Sequence, residues 1–386
     1  MSYNNDHHLI TREQTYVLDR KFVTIHSEDR DVKKWPNSNH FEIFLPQTYN
    51  NVQSLKLIEC NFPSNNYTFS TDYQNTKLSF RVVPSARTSG INTTIYYYLN
   101  INAAQVYTIT IPDGYYTAPQ LAREIEYRMN KAVSDYLYEP SPGVHPLSYE
   151  DAQYTHFKMY YDEVGQNLWF GNKYDSFFLS FNRQEMYELG NCEQPNVWAR
   201  YAKWGLPYYL GFAKQEYAAT STTSAVRFNY SDTPVWMSPD QNVPLGSTPR
   251  CFYVKSPSTV GIFGETAMYM ELDKYNSMDE LVPFSQGTTN MYNNDYNGTV
   301  NAAFAKIPIT SSANTEFFDS TNVNLVNFSH FYPVIDKLRK LKFKFRYHDG
   351  RLVDFKNANF TFTIAVNCLR DEIARDMKLR NPSGAH

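Results

Sequence analysis

A chain of 386 residues with 36 Lys and Arg against 39 Asp and Glu carries a formal charge of −3, which lacks the basic excess of a general nucleic-acid packager. Its 32 Tyr, 26 Phe and 5 Trp make 16% aromatic residues while charged residues fall to 19%, a balance that favours strands and aromatic contacts over solvated helices. No run reaches the roughly 20 apolar residues of a membrane-spanning helix, and Cys60, Cys192, Cys251 and Cys368, with no CxxC pair, are expected as free thiols.

Residues 1–20 are polar and aperiodic and are expected as an N-terminal arm that orders against a neighbour. Strand-like runs then recur at 22–26, 41–45, 52–60, 77–83, 94–99 and 105–111, separated by Pro, Gly and Asn, which is the pattern of a sandwich or barrel. After IPDGYY the period changes. Leu121, Ile125, Met129 and Val133 fall four apart, predicting an amphipathic helix. Thr117 and Gln120 supply a capping box at its start, and Pro119 is tolerated in the first turn, where its missing N–H has no intrahelical partner. Asp113-Gly114 predicts the tight turn before it.

Further strands are predicted at 156–161, 167–170 and 176–181, the first two joined by a hairpin near Gly165, and then at 225–230, 251–255 and 267–273. Between them, 185–215 reads as a helical excursion ending in the aromatic loop LPYYLGF, and 285–301 and 310–322 read as long surface loops. The chain closes with LRKLKFKFRYHDGRLVDF, a hairpin on Asp349-Gly350, then the strand FTFTIAVNCL and a short polar helix from Leu369 to Arg380.

Chemistry is sparse. His26, Glu28, Asp29, Arg30 and Asp31 hold acid, base and ligand types within six residues, yet lack the spaced oxygens and turn glycine of a calcium loop or the ligand set of a zinc site. The plainer expectation is a loop in which Asp29 or Asp31 pairs with Arg30 or accepts backbone N–H groups. There is no HExxH, GxSxG, GxGxxG or P-loop, and a pair of glycosidase carboxylates stays open because its spacing is a three-dimensional property. From Asp336 to Lys344 five of nine residues are Lys or Arg; a solvated strand face is the plain expectation and a patch for an acidic partner the alternative. The Tyr-rich runs IYYYL, MYYDE and LPYYLGF divide between core and interface, with sugar stacking as a third reading.

The ordered set HSEDRD, WPNSNHFEIFLP, LKLIECNFPSNNYTF, IPDGYYTAPQLAREI, LPYYLGF, MELDKYN and FKFRYHDGRLVDFKNANFTFTI resembles the jelly-roll minor capsid and penton-type proteins of nucleocytoplasmic large DNA viruses. That resemblance implies an all-β fold with helical insertions: a jelly-roll β-sandwich, one elaborated roll over 21–368 with two fused rolls as the alternative, insertions near 185–248 and 285–322, and a tail at 369–386. It implies a non-enzymatic minor capsid protein that cements or bridges capsomers; the alternatives are a penton base at the five-fold vertex and a carbohydrate-binding attachment protein. Expected partners are the major capsid protein and other minor capsid proteins, with no specific nucleic acid, no small-molecule substrate, no cofactor, no metal, and proximity to an inner membrane left open. The expected location is the virion capsid shell, after synthesis in host cytoplasm. Interface candidates are Tyr3, His8 and Arg12 in the arm, Tyr97 and Tyr98 in IYYYL, Tyr292 and Tyr296 in a surface loop, and Arg370 and Arg375 in the tail.

Overall fold

Alternating burial, the mark of strands with one face on a core, runs through most of the computed structural model, which describes residues 16–65, 67–86, 91–101, 103–138, 150–183, 205–241, 243–279, 302–310, 317–320, 328–348 and 350–371. In chain order come β1 (Tyr16–His26), β2 (His40–Pro63), β3 (Lys77–Val83), α1 (Ile91–Ile101), β4 (Val106–Thr110), α2 (Ala118–Tyr138), β5 (Phe157–Asp162), β6 (Asn167–Asn172) and β7 (Ser176–Ser180). Next are α3 (Leu206–Tyr209), β8 (Glu216–Ala218), β9 (Thr220–Thr222), β10 (Val226–Arg227), β11 (Trp236–Met237) and β12 (Cys251–Lys255). The last are β13 (Ala267–Leu272), β14 (Met278–Asp279), β15 (Ala302–Ala303), β16 (Ala305–Pro308), β17 (Phe317–Ser320), β18 (Phe328–Arg346) and β19 (Thr361–Asp371). The chain divides into two compact units, residues 1–66 with 265–386, and residues 67–264.

The first unit is built on a seven-stranded antiparallel sheet in the order β1-β19-β2-β18-β13-β16, with β17 also on β2. Two predicted runs, 41–45 and 52–60, are one strand, the 24-residue β2. Pro46 does not break it because the register with β18 slips between Phe44 and Tyr49, so the proline sits where no ladder donor is required. The core of this unit is a phenylalanine cluster: the Phe62 ring lies 4.6 Å from Phe360, 5.3 Å from Phe345 and 5.7 Å from Phe355, and Phe343 lies 5.0 Å from Phe362. On the opposite face a polar row crosses three strands, Arg20 Nε donating to Asn367 Oδ1 at 2.9 Å and Asn367 Nδ2 to Ser54 Oγ at 2.7 Å.

Segment boundaries differ from expectation where strands recruit supposed loop. β1 begins at Tyr16, inside the expected arm, and pairs with β19 from His26 to Tyr16, so β19 extends to Asp371, inside the expected tail. Within the expected insertion near 285–322, β16 pairs with β13 and β17 with β2. The predicted polar helix after Leu369 lies beyond the described residues, except that Leu369, Arg370 and Asp371 are strand.

The second unit has two four-stranded antiparallel sheets, β4-β3-β7-β8 and β5-β6-β12-β9, and a short β10–β11 pair. Within the expected insertion near 185–248, β8 extends the sheet of β7 and β9 pairs with β12. The amphipathic helix stands as predicted: Leu121, Ile125, Met129, Val133 and Leu137 are buried, the Thr117 N–H donates to Gln120 Oε1 at 3.0 Å, and the Gln120 N–H to Thr117 Oγ1 at 3.4 Å. The hairpin near Gly165 also stands, with Asp162 opposite Asn167. The run 94–99, predicted as strand, is instead the middle of α1. Ile95 and Leu99, four apart, are buried while Tyr97 is exposed, a helical and not an alternating pattern.

Candidate functional site

The outer face of the β2–β18 ribbon in the first unit gathers more charge and exposed aromatic surface than its strand length requires. Its origin is local. In β18, Leu338 is buried, as are Leu341, Phe343 and Phe345; the inward parity therefore changes at the register slip between Leu338 and Lys340. Such an irregularity re-aims side chains, and here it leaves Arg339 and Lys340 as consecutive exposed residues, in line with Lys337, Lys342 and Lys344. Cross-strand pairing places Lys340 opposite Phe44, Lys342 opposite Glu42 and Lys344 opposite His40.

The loop before β2 completes this face, and Arg30 fixes it. Its guanidinium donates to the carbonyls of Ser27 at 2.7 Å, Trp35 at 3.0 Å and Pro36 at 3.0 Å, and to Asn359 Oδ1 at 3.1 Å. Asp31 accepts from the N–H groups of Lys33 and Lys34 at 3.1 and 3.3 Å. The HSEDRD run is thus a structural loop, with the backbone-accepting aspartate anticipated from sequence and Arg30 turned to carbonyls. Trp35 is held beside His40, ring centroids 4.5 Å apart, with the ammonium groups of Lys34 and Lys342 at 5.3 and 5.6 Å from its ring, within cation–π range. Nothing in the sequence near Trp35 announced Lys342; only the Lys34-Trp35 dipeptide was visible.

Charge is graded along β18. Arg346 is buried and its Nε contacts Glu271 at 3.0 Å; burial pushes the Glu271 carboxyl above its ordinary range, with Arg346 pulling the other way. Burial also lowers the Lys344 ammonium, reinforced by Arg346. Lys340 hydrogen-bonds Glu42 at 3.0 Å and so holds that carboxyl below its usual value. Lys337 and Arg339 are exposed, with no carboxylate at ion-pair distance among the described residues. Phe44 beside Lys340 is 79% exposed.

The interface candidates named from sequence are not brought together. Tyr97 is exposed on α1, and Tyr98, at 5.8 Å from it, packs half-buried against the second unit's core. Arg370 lies in the first unit, its Nη2 2.6 Å from Asp19 across the β1–β19 pair. Tyr3, His8, Arg12, Tyr292, Tyr296 and Arg375 lie outside the described residues. Cys60, Cys251 and Cys368 are buried and not joined in disulfides.

A cavity of about 350 Å³ in the second unit, between α2 and residues 152–158, is the obvious place to seek a small ligand. Four of its polar side chains are engaged in holding α2 against β5 and the segment before it. Glu126 accepts from Lys158 Nζ and from the Met159 N–H, both at 2.9 Å; Asn130 bonds both backbone groups of Phe157 at 3.0 Å; Ser134 accepts from the Tyr154 N–H at 2.9 Å. Among the described residues no group of three His, Cys, Asp or Glu side chains is placed to hold a metal ion, and no helix is long and apolar enough to cross a membrane.

The fold and these surfaces define a β-rich protein of two antiparallel units. A family of unknown function, DUF5901, matches residues 10–148. No curated protein matches the chain. Among solved structures the chain is similar to the mavirus penton protein, at 6% identity and a TM-score of 0.38, over 92% of this chain and 99% of that one. It is similar to a chain in the structure of the Sputnik virophage at 8% identity with the same TM-score and the same coverage.

Proposed function

We propose that this chain is a structural, non-catalytic viral capsid protein, a jelly-roll minor capsid component that cements or bridges major capsid protein away from the five-fold vertex. The observation that carries the proposal is where its chemistry lies: aromatic and cationic side chains are arrayed on a broad sheet face, while Glu126, Asn130, Ser134 and Lys158, which line the cavity beside α2, are hydrogen-bonded inside the fold. Surfaces of this type serve protein contact, with aromatic residues and Arg as anchors. The ordered motifs from HSEDRD to NFTFTI support the capsid assignment, and the two antiparallel β-units suit a protein whose contacts lie on faces, loops and termini. The arm, the two Asn- and Thr-rich loops and the tail are read as further contacts with neighbouring subunits.

Co-sedimentation of the purified chain with major capsid protein, followed by localisation in a cryo-EM map of the particle, tests this. Density within the shell at facet positions, in contact with capsomers over at least about 1,000 Å², is the expected result. Density confined to the five-fold axes would replace the bridging role by a penton role, and absence from the shell would sink the capsid proposal altogether.

A further inference from the structure

We infer that the outer face of the β2–β18 ribbon is a docking surface for an extended acidic segment of another protein. Its warrant is charge and geometry within the first unit and does not depend on the capsid assignment. The chain has a formal charge of −3, yet on this face Lys337 and Arg339 project without a carboxylate partner among the described residues, next to Lys340, Lys342 and Lys344. Uncompensated cations concentrated on one face of an acidic chain attract an anionic partner.

Spacing and pattern narrow the partner's class. Outward residues two apart on a strand recur every ~6.8 Å, which is the repeat of alternate side chains in any other extended peptide. A strand with acidic residues at alternate positions therefore matches the spacing on either side of the slip, Lys337 and Arg339 before it and Lys340, Lys342 and Lys344 after it. Carboxylates are interleaved with them: Glu42 is bound to Lys340, and Asp336 adjoins Lys337. A continuous polyanion such as nucleic acid or an anionic bilayer is repelled by those groups, whereas discrete carboxylates on a peptide can avoid them. Phe44, 79% exposed and directly opposite Lys340, supplies the apolar anchor that a peptide contact requires, and Trp35, beside His40 and under the ammonium groups of Lys34 and Lys342, adds a second aromatic ring.

The test uses the full chain and a fluorescein-labelled extended peptide of alternating Glu and Val, compared with the same peptide carrying Gln for Glu, with single-stranded oligo-dT, and with phosphatidylserine vesicles. Binding by anisotropy is expected for the Glu peptide only, weakening as salt rises. The double variant K337E/R339E should weaken it about tenfold, since two exposed attractions become repulsions, and F44S should weaken it with an unchanged salt slope. A thermal melt checks folding; if K337E/R339E misfolds, K337Q/R339Q replaces it with a smaller loss expected. Tighter binding to oligo-dT or to vesicles than to the Glu peptide, absence of peptide binding, or insensitivity to the charge variants would each overturn the inference.

Discussion

Truncating Phe62 to Ala probes whether the first unit's core is the interlocked ring cluster described. Phe62 is fully buried and its ring neighbours lie at 4.6, 5.3, 5.7 and 6.5 Å, from Phe360, Phe345, Phe355 and Phe362. A buried Phe→Ala change costs about 3–5 kcal/mol through lost transfer energy and the cavity left behind, and each well-disposed aromatic pair adds roughly 0.5–1.5 kcal/mol beyond area. With rings contributed by β2, β18, β19 and the segment before β19, collapse into the hole requires several strands to move together. Phe62→Ala is therefore expected at the top of the range, about 5 kcal/mol, against a typical domain stability of about 5–15 kcal/mol. Phe62→Leu, which refills most of the volume, should cost only about 1–2 kcal/mol. Equilibrium urea unfolding followed by near- and far-UV circular dichroism reads both as shifts of midpoint at constant slope. A loss below about 1.5 kcal/mol for Phe62→Ala, or equal losses for Ala and Leu, would refute the packing argument.

Three other outcomes follow from single residues. Gly211, in LPYYLGF, has φ +85° and a methyl there would overlap the Ser258 carbonyl, whose residue also donates its N–H to Gly211 O at 3.1 Å; Gly211→Ala should destabilise the protein by about 2–4 kcal/mol in urea unfolding, and a neutral result would show the loop to be built differently. Arg346→Met strands Glu271 in its buried site and should cost about 3–5 kcal/mol at neutral pH. Because burial raises the Glu271 pKa, the folded state holds a proton that the unfolded chain has lost, so stability falls as pH rises above the ordinary Glu value of about 4.3; the variant should steepen that fall, and a parallel pH profile would contradict it. The Lys214 ammonium is lowered by burial to about 8, so between there and the unfolded value of about 10.4 the unfolded chain binds more protons and stability rises with pH; Lys214→Met should flatten this rise in melts recorded across that window, and an unchanged rise would point to another group.

Which elements were legible depended on whether their determinants were close in sequence. α2 carries its own evidence: the capping box, the apolar residues four apart and a polar remainder lie within one stretch. The hairpin between β5 and β6 likewise lies within 157–172, where the buried Asp162 accepts from the Val164 N–H at 3.2 Å. α1 was misread because Ile and three successive Tyr have high strand propensity; the decisive signal was the four-residue interval between Ile95 and Leu99, one repeat long and easily lost among aromatics. That the first unit joins the two ends of the chain was illegible because its determinants are remote: Ser54 meets Asn367 and Arg20 meets Asn367 across more than three hundred residues. Of the candidate surface, the basic run of β18 is visible in the sequence, where a solvated face is the plain expectation and an acidic partner the alternative. The exposed pair Arg339 and Lys340, with Phe44 opposite, depends on a register slip between distant strands, and Trp35 meets Lys342 through a loop fixed by Arg30; neither has a local sequence signal.

The gradient along β18 separates residues that hold the fold from those of the proposed docking face. At its C-terminal end Arg346 is desolvated, paired with Glu271 and bonded to the Gly350 carbonyl at 2.8 Å, so its loss acts on folding. In the middle, Lys342 and Lys340 are held by Trp35 and Glu42, and substitutions there disturb both the loop carrying Trp35 and the exposed surface. At the parity change the constraint ends: Arg339 and Lys337 are solvated, and surface charges of this kind contribute at most about 1 kcal/mol to stability. They are therefore free to be selected for association. Stability and partner affinity should separate along the strand, with changes at Arg346 moving the urea midpoint and changes at Lys337 and Arg339 moving only peptide binding and its salt dependence.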